Sequence, residues 1–205
     1  MELEGTSIRT ISSTRWPSFD NAGNLYGTTF AGGTNDTGTI YELTNTSDGW
    51  TETILRSFNA STDGSNPAGG VDFDQQGNLY GTASAGGPGN CGTVYQLQLS
   101  GGGWTFNLLH GFGGFGEPFD TLTLDAAGNL YATSIDGGSN GTGNVFKLTN
   151  GSQGWTYTDL YDFKGDLSDG YAPIAGVVLD GSGNLYGTTP VGGNQNRNCN
   201  DGGCV

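Results

Sequence analysis

Short runs of alternating apolar and polar residues recur along the chain, and Gly, Asn, Asp and Ser separate them. One stretch shows the pattern clearly, with AGGVDFD (68–74), NLYGTAS (78–84), GTVYQLQL (92–99) and GWTFNLLHGF (103–112). Alternation of β-branched and aromatic residues with polar ones is typical of strands, and turn-forming residues mark the junctions between them. No segment shows a helical period. The pattern predicts an all-β protein with four short strands in each such stretch.

The whole pattern repeats at a nearly constant interval. The string GNLY begins at Gly23, Gly77, Gly128 and Gly183, so the spacing is 54, 51 and 55 residues. The units cover residues 17–67, 68–118, 119–173 and, in part, 174–205. Four strands in roughly 53 residues is close to the size of a propeller blade. We therefore predict one repeat domain over residues 1–205, with β-propeller-like four-stranded blades in three full units and a partial one.

Two other all-β architectures compete with the propeller. A stacked β-solenoid usually has shorter coils, and a pair of small sandwiches would not require the same residues in every unit.

Natural rings usually have at least four blades, so we expect the chain to be a fragment of a larger ring. The alternative is a small ring in which residues 6–13 supply the outer strand of the last blade.

An Asp precedes every GNLY string by three positions, at Asp20, Asp74, Asp125 and Asp180. An Asp side chain accepts backbone N–H bonds in tight turns, and the following Gly tolerates a positive φ. These residues are therefore predicted to hold a structural turn between two strands. Calcium binding is the alternative, but the spacing does not match an EF-hand loop and only one carboxylate recurs per turn.

Two sets of variable polar loops are expected on one face of the blades, because the second-to-third loop and the loop leaving the fourth strand emerge on the same side. Their Asn, Asp, Ser and Thr side chains suit hydrogen bonding to sugars or coordination of calcium. The candidate ligand-binding residues are Asp63, Asn66, Glu117, Asp166 and Asp169, with Asp36 and Asp136 as secondary candidates. Solvation alone also explains polar loops, so that alternative stays open.

The sequence offers few residues for catalysis or for a metal. His110 is the only histidine, and Arg56 and Tyr161 occupy its place in other units, so it is predicted to be an ordinary strand residue. No carboxylate pair of the kind a glycosidase needs stands apart from the repeat. We predict no catalytic residues and no metal site. Cys199 and Cys204 are candidates for a small disulfide.

The aromatic content argues against a disordered chain, and the charge argues against two classes of partner. The chain has 4 Trp, 9 Tyr and 10 Phe, too many for a disordered acidic segment despite its 40 Gly and net charge of -14. Trp50, Trp104 and Trp155 recur once per unit, and we expect them to pack between neighbouring sheets rather than to stack on sugars. The excess of 20 acidic over 6 basic residues argues against nucleic acid and anionic membranes as partners.

No stretch approaches the roughly 18 consecutive apolar residues of a membrane span, so membrane insertion is not expected. The first residues, MELEGTSIRT, also lack the basic region and apolar core of a signal peptide.

The combination DxxGNLYGTTxxGG, a GTVFKL-like run, GWTxTxLxxF and DGxxP resembles the tandem repeat of the choice-of-anchor GloVer family of bacterial surface proteins. The resemblance covers residues 17–205. Two departures occur: Ala132 replaces the Gly after Tyr in the third copy, and GFGEP (114–118) replaces DGxxP in the second. The family implies an exported, envelope-attached repeat protein and supplies no catalytic residues.

We therefore expect an extracellular or cell-surface module with a structural or adhesion-type role, no catalytic activity and no cofactor. Its expected partners are an extracellular polysaccharide or a surface protein. The alternatives are a carbohydrate-binding propeller that uses the polar loop face, and a polysaccharide lyase or hydrolase.

Overall fold

The computed structural model of the protein describes residues 17–166 and 168–193. Every regular element in these residues is a β-strand. Within the same residues there is no helix that is long and apolar enough to cross a membrane. The predicted all-β class and its four-stranded antiparallel sheets are confirmed.

Three four-stranded sheets follow one another along the chain. The first sheet contains β1 (Ser18–Phe19), β2 (Leu25–Thr29), β3 (Thr39–Thr46) and β4 (Gly49–Ser57). The second contains β5 (Asp72–Phe73), β6 (Leu79–Ala83), β7 (Asn90–Ser100) and β8 (Gly103–Gly113). The third contains β9 (Thr123–Leu124), β10 (Leu130–Ser134), β11 (Asn144–Gly151) and β12 (Gly154–Asp162). Four short strands follow, β13 (Gly170–Tyr171), β14 (Val178–Leu179), β15 (Leu185–Tyr186) and β16 (Val191–Gly192).

The three sheets share one strand order and one register. Strands that are neighbours in the chain are neighbours in the sheet. In each sheet a Leu of the second strand faces a Leu of the third, at Leu25 and Leu43, Leu79 and Leu97, and Leu130 and Leu148. The fourth strand carries a bulge at the same place, where the extra residue is Leu55, Leu109 or Leu160. A bulge bends a strand and re-aims its side chains, so the repeat preserves even this irregularity.

The first strand of the second sheet is shorter than the predicted run over 68–74. Only Asp72–Phe73 pairs with the next strand. The Gly-rich residues before it make contacts between sheets instead, and the carbonyl of Gly69 accepts a hydrogen bond from Thr28 Oγ1 of the first sheet at 2.8 Å. This segment therefore joins two sheets rather than extending one.

A tight turn between the first two strands is held by its Asp side chain. In the first unit, Asp20 Oδ1 accepts bonds from the N–H groups of Ala22 (2.8 Å) and Asn24 (2.9 Å). Its Oδ2 accepts from Asn24 Nδ2 (2.9 Å) and from the Tyr26 hydroxyl (3.3 Å). The equivalent four groups donate to Asp74, Asp125 and Asp180. One sequence motif thus builds the same turn four times.

The apolar core lies between consecutive sheets. Between the first and second sheets the buried residues are Tyr26, Ile40, Phe58, Val71, Leu79, Ala83, Tyr95 and Leu97. Between the second and third they are Tyr80, Val94, Phe112, Leu122, Leu130, Ala132, Phe146 and Leu148. Most of these occupy equivalent positions in the repeat. Each fully buried Leu contributes about 2 kcal/mol to the free energy of folding, so each sheet depends on its neighbour.

The recurring Trp residues differ in burial. Trp104 and Trp155 pack against these two cores, as predicted. Trp50 is 52% exposed, so the prediction that it packs between sheets is wrong. The reason is that the described residues place no sheet against this face of the first sheet.

Candidate functional site

The two predicted sets of polar loops meet at one end of the sheets, which we call the loop end. It consists of the loops between the second and third strands (30–38, 84–89, 135–143) and the loops that leave the fourth strand (58–71, 114–122, and 163–166 with 168–169). The loop that leaves one sheet pairs with the next sheet. Ser65 and Ala85, for example, exchange two backbone hydrogen bonds of 2.7 and 3.1 Å. The predicted residues therefore lie at junctions between consecutive sheets.

Asp63 is buried, and both of its carboxylate oxygens have protein donors. Oδ2 accepts from Arg56 Nε (2.9 Å), Arg56 Nη2 (2.5 Å) and the N–H of Asn59 (3.1 Å). Oδ1 accepts from the Thr62 hydroxyl at 2.9 Å. These bonds fix the loop that leaves the first sheet. They also occupy both carboxylate oxygens of Asp63, which a ligand would need as acceptors.

Asp169 has the same role in the loop that leaves the third sheet. Its Oδ2 accepts from the Tyr161 hydroxyl (2.8 Å) and the N–H of Lys164 (3.1 Å), and its Oδ1 accepts from the N–H of Gly170 (2.8 Å). Tyr161 stands where Arg56 stands in the first unit. Different donors on the fourth strand therefore hold equivalent carboxylates.

The second unit lacks an Asp at this position, because its loop is shorter and carries GFGEP. His110 occupies the position of Arg56 and Tyr161 and stacks on Tyr157, with ring centroids 4.4 Å apart. Burial lowers the pKa of His110, although the charge of Asp159 opposes this effect. His110 is thus a packed, neutral ring at neutral pH.

Asn66 and Glu117 hold their connections through backbone hydrogen bonds, and Asn66 Nδ2 also donates to Phe30 O at 3.2 Å. Both precede a Pro and adopt left-handed φ angles of 57° and 54°. Their N–H groups donate to Thr37 O and Cys91 O, each at 2.9 Å. A non-Gly residue with positive φ is uncommon and strained unless its surroundings hold it. These bonds hold the connection in place, and neither residue is brought to the others by its side chain.

Asp36, Asp136 and Asp166 are exposed at the loop end. Asp36 Oδ1 accepts from the N–H of Gly32 at 3.0 Å, and Asp166 Oδ1 accepts from the N–H and hydroxyl of Ser168 at 2.9 and 2.6 Å. The N–H of Asp136 donates to Gly116 O at 3.2 Å. Together with Glu117, these are the exposed carboxylates of the predicted set, and the four lie on different loops.

The predicted disulfide of Cys199 and Cys204 lies outside the described residues. Cys91 is half-buried, and its thiol contacts Gly114 O at 3.4 Å. In the part of the chain that the structure describes, no group of three or more His, Cys, Asp or Glu side chains is arranged to hold a metal ion.

The turn Asp residues lie at the opposite end of the sheets, which we call the turn end. Burial would raise the pKa of Asp20 and Asp125, but the hydrogen bonds donated within the turn outweigh it and lower the pKa of both. Bonds from Asn184 lower the pKa of exposed Asp180 to about 2. Because the pKa is lowered by folding, the resulting stabilisation is present above the ordinary Asp value of about 3.9 and is lost as the pH falls through the lowered value.

The sequence did not single out two acidic residues, half-buried Asp72 and buried Asp120. Asp72 lies in the first strand of the second sheet, and Asp120 is buried just before the first strand of the third. Burial raises the pKa of Asp72, as does the nearby charge of Asp120, while a hydrogen bond with Ser18 opposes the rise. Aligning the units would have shown the signal, since Asp72 stands where Ser18 and Thr123 stand in other units.

Three equivalent grooves lie at the turn end, each between the turns of consecutive units. Their volumes are about 270 Å³ between the first and second units, 470 Å³ between the second and third, and 630 Å³ between the third and fourth. Each groove combines an Asp turn with an apolar residue of a first strand, which is Phe73, Leu124 or Leu179. In the second groove Gln75 and Gln76 add exposed amide groups. Apolar surface beside amides suits a carbohydrate better than a free ion.

The structure consists of one unit that recurs along the chain, and a protein-family model describes the same repeat. No curated protein matches the chain. The model of the Gloeobacter/Verrucomicrobia repeat matches residues 7–198, which is nearly the whole chain. The protein therefore belongs to the Gloeobacter/Verrucomicrobia (GloVer) repeat family.

Proposed function

We propose that the protein is a non-catalytic structural or adhesion-type module of a bacterial cell surface, and that its sheets are blades of a β-propeller-like arrangement. The observation that carries the proposal is the use of the predicted carboxylates. Asp63 and Asp169 hold loops and the four turn Asp residues hold turns, so the recurring acidic groups build the frame.

The blade arrangement is supported by the contacts between units. Consecutive sheets pack face to face through equivalent residues. Their first strands are linked at one edge, where the Ser18 hydroxyl donates to Val71 O and the Thr123 hydroxyl donates to Val177 O. A common inner edge with an outward fourth strand is what propeller blades require.

The cell-surface location rests on family resemblance. Protease treatment of intact cells that carry the native protein tests it, because a surface protein is digested without lysis and an intracellular one is not.

Carbohydrate binding is the second candidate function, and the grooves at the turn end favour it. The grooves repeat from unit to unit, so an extended polysaccharide could contact several of them at once and gain affinity from multivalency. A polysaccharide lyase or hydrolase has less support, because most of the candidate carboxylates accept hydrogen bonds from neighbouring residues of the chain.

One experiment separates these functions. The chain is incubated with a panel of soluble polysaccharides, with and without calcium, and both product formation and the melting temperature are measured. For a structural module we expect no product and no ligand-dependent shift. A concentration-dependent rise with one polysaccharide that is lost in Gln76→Ala would instead support groove binding, since a ligand of the folded state raises its stability.

The same melts test whether the loop carboxylates are structural. Asp63→Asn should lower the free energy of unfolding by about 2 kcal/mol, because the buried side chain would lose both its charge and one of the two oxygens that accept hydrogen bonds from Arg56, Asn59 and Thr62. Asp136→Asn is the matched control and should leave stability within about 0.5 kcal/mol of wild type. Release of product from any polysaccharide, or an unchanged melt for Asp63→Asn, contradicts the proposal.

A further inference from the structure

The groove between the first and second units, which we call the first groove, differs from the other two in its side chains. Its lining includes Asn21, Phe73, Gln75, Leu99 and Trp104. Its volume of about 270 Å³ is close to the lower end of small-molecule sites, so it suits a short saccharide segment. Neither of the other two grooves has both an amide on each of its turns and an indole in its lining.

Two amide side chains line the first groove from neighbouring turns. Asn21 and Gln75 occupy the same position in the turns of the first and second units, and both are exposed. The third and fourth turns carry Ala126 and Gly181 there and form the same hydrogen bonds to their Asp. Among the described residues, neither amide side chain has a hydrogen-bond partner. The turn therefore does not require these amides, and their donors and acceptors are free for a ligand.

Leu99 adds an exposed apolar side chain to the same groove. It is 48% exposed, and the equivalent residues of the other two sheets are Asn45 and Asn150. Leu99 pairs with Trp104 across β7 and β8, so both side chains lie on the same face of the second sheet. The N–H of Leu99 donates to Asn78 Oδ1 at 3.2 Å, and this bond holds the end of the hairpin beside the turn. The apolar side of the groove is therefore fixed in place.

Three residues that the repeat does not require thus meet at one groove, namely Asn21, Gln75 and Leu99. An amide both donates and accepts hydrogen bonds, as the hydroxyl groups of a sugar do. The C–H face of a sugar ring packs on apolar and aromatic side chains, which line most small-molecule sites. The combination is that of a saccharide site.

The charges at the first groove disfavour an acidic sugar. Asp20 and Asp74 are the charged residues of its lining, which contains no basic side chain. The chain as a whole has a net charge of -14. Like charges repel, and they repel more strongly beside apolar surface than in bulk water. A neutral saccharide is therefore the ligand that fits.

We propose that the first groove binds a neutral saccharide, with Asn21 and Gln75 hydrogen-bonded to its hydroxyl groups and with Leu99 and Trp104 packed on a sugar ring. This assignment rests on the carbohydrate-binding candidate of the proposed function, and it identifies the groove and the class of sugar. The second groove shares Gln75 and receives the next part of a longer chain. A short saccharide therefore depends on the first groove alone.

Isothermal titration of the whole 205-residue chain with neutral trisaccharides of glucose, xylose, mannose and N-acetylglucosamine tests the proposal. At least one of them should bind, and an acidic trisaccharide of galacturonic acid should bind about tenfold more weakly than it. Leu99→Asn, which installs the residue type of Asn45 and Asn150, should weaken binding of the neutral trisaccharide about tenfold. Asn21→Ala should weaken it about fivefold, because a hydrogen bond is lost.

Gln76→Ala is the matched control, because Gln76 is an exposed amide next to Gln75 that lines the second groove and not the first. It should bind the trisaccharide as wild type does, and melts verify that all variants fold. If a neutral trisaccharide binds but Leu99→Asn and Asn21→Ala leave its affinity unchanged, carbohydrate binding stands and the assignment to the first groove is wrong. Tighter binding of the acidic trisaccharide than of every neutral one also overturns the proposal. If none of the trisaccharides binds, the carbohydrate-binding candidate fails together with this proposal.

Discussion

The first and second sheets have the same strand order and apolar positions, but they differ in their neighbours. Among the described residues, the second sheet is packed between two sheets, whereas the first has a neighbouring sheet on one face. Leu79 of the second sheet is fully buried, and its equivalent Leu25 is half-buried. The comparison separates two contributions. The sequence of a unit encodes its own strands and turns, whereas the burial of its apolar side chains depends on a neighbouring unit.

The largest expected difference between the two sheets is in the cost of losing this Leu. Leu79→Ala should lower the free energy of unfolding by about 3 kcal/mol, because it leaves a cavity between two sheets. Leu25→Ala should cost about 1 kcal/mol, since its side chain is already partly in water. Urea denaturation, with the slope checked for a change in cooperativity, measures both. Equal losses would show that the open face is covered as fully as the closed one.

A smaller difference is expected at the Gly that faces a Tyr across each sheet. A Cβ at Gly81 would lie 2.4 Å from the Tyr95 hydroxyl oxygen, and a Cβ at Gly27 would lie 2.5 Å from that of Tyr41. Tyr95 is fully buried and has packed neighbours on all sides, so it has less room to shift than half-buried Tyr41. Gly81→Ala should therefore cost about 2 kcal/mol and Gly27→Ala less.

The third sheet shows how the clash at Gly81 is relieved. There Ala132 stands in the place of Gly81, and Phe146 stands opposite it in the place of Tyr95. The unit that has the extra methyl group therefore lacks the hydroxyl with which that methyl group would clash. The Tyr95 hydroxyl has no hydrogen-bond partner among the described residues, so Tyr95→Phe alone should be nearly neutral. The double variant Gly81→Ala with Tyr95→Phe should recover most of the loss. A double variant as unstable as Gly81→Ala would contradict this account of Ala132.

The contrast between local and distant contacts also explains what could be predicted from sequence. The role of Asp20 and its equivalents was accessible because all its donors lie within six residues along the chain. The GNLY spacing likewise predicted the three four-stranded sheets, since within each of them every strand pairs with the next in sequence.

Features that depend on a neighbouring unit were not accessible. Trp50 has the same sequence context as Trp104, yet in the part of the chain that the structure describes only Trp104 of these two has a sheet to pack against. Asp63 lies in a loop whose polar composition is typical of a ligand-binding loop, but its carboxylate already accepts a hydrogen bond from Arg56. Composition describes a loop's chemistry and does not reveal which of its polar groups are already paired.

The smallest effect expected between the two sheets concerns Asp72, whose equivalent in the first sheet is Ser18. Burial and the charge of Asp120 raise the pKa of Asp72 above that of an unfolded Asp. The stability linked to this group is therefore fully present below the unfolded pKa and is lost as the pH rises through the folded value. Asp72→Thr, which installs the residue type of Thr123, should remove this loss and stabilise the chain at pH 7 by about 1 kcal/mol.

The gain from Asp72→Thr should shrink towards pH 4, where wild-type Asp72 is increasingly protonated. Melting temperatures of wild type, Asp72→Thr and the exposed control Asp136→Thr at several pH values measure it. A gain that is the same at every pH would show that packing, rather than the buried charge, accounts for the difference. A loss of stability at pH 7 would mean that the ionised carboxylate is needed between the sheets, so that the second sheet uses a polar contact which the first does not.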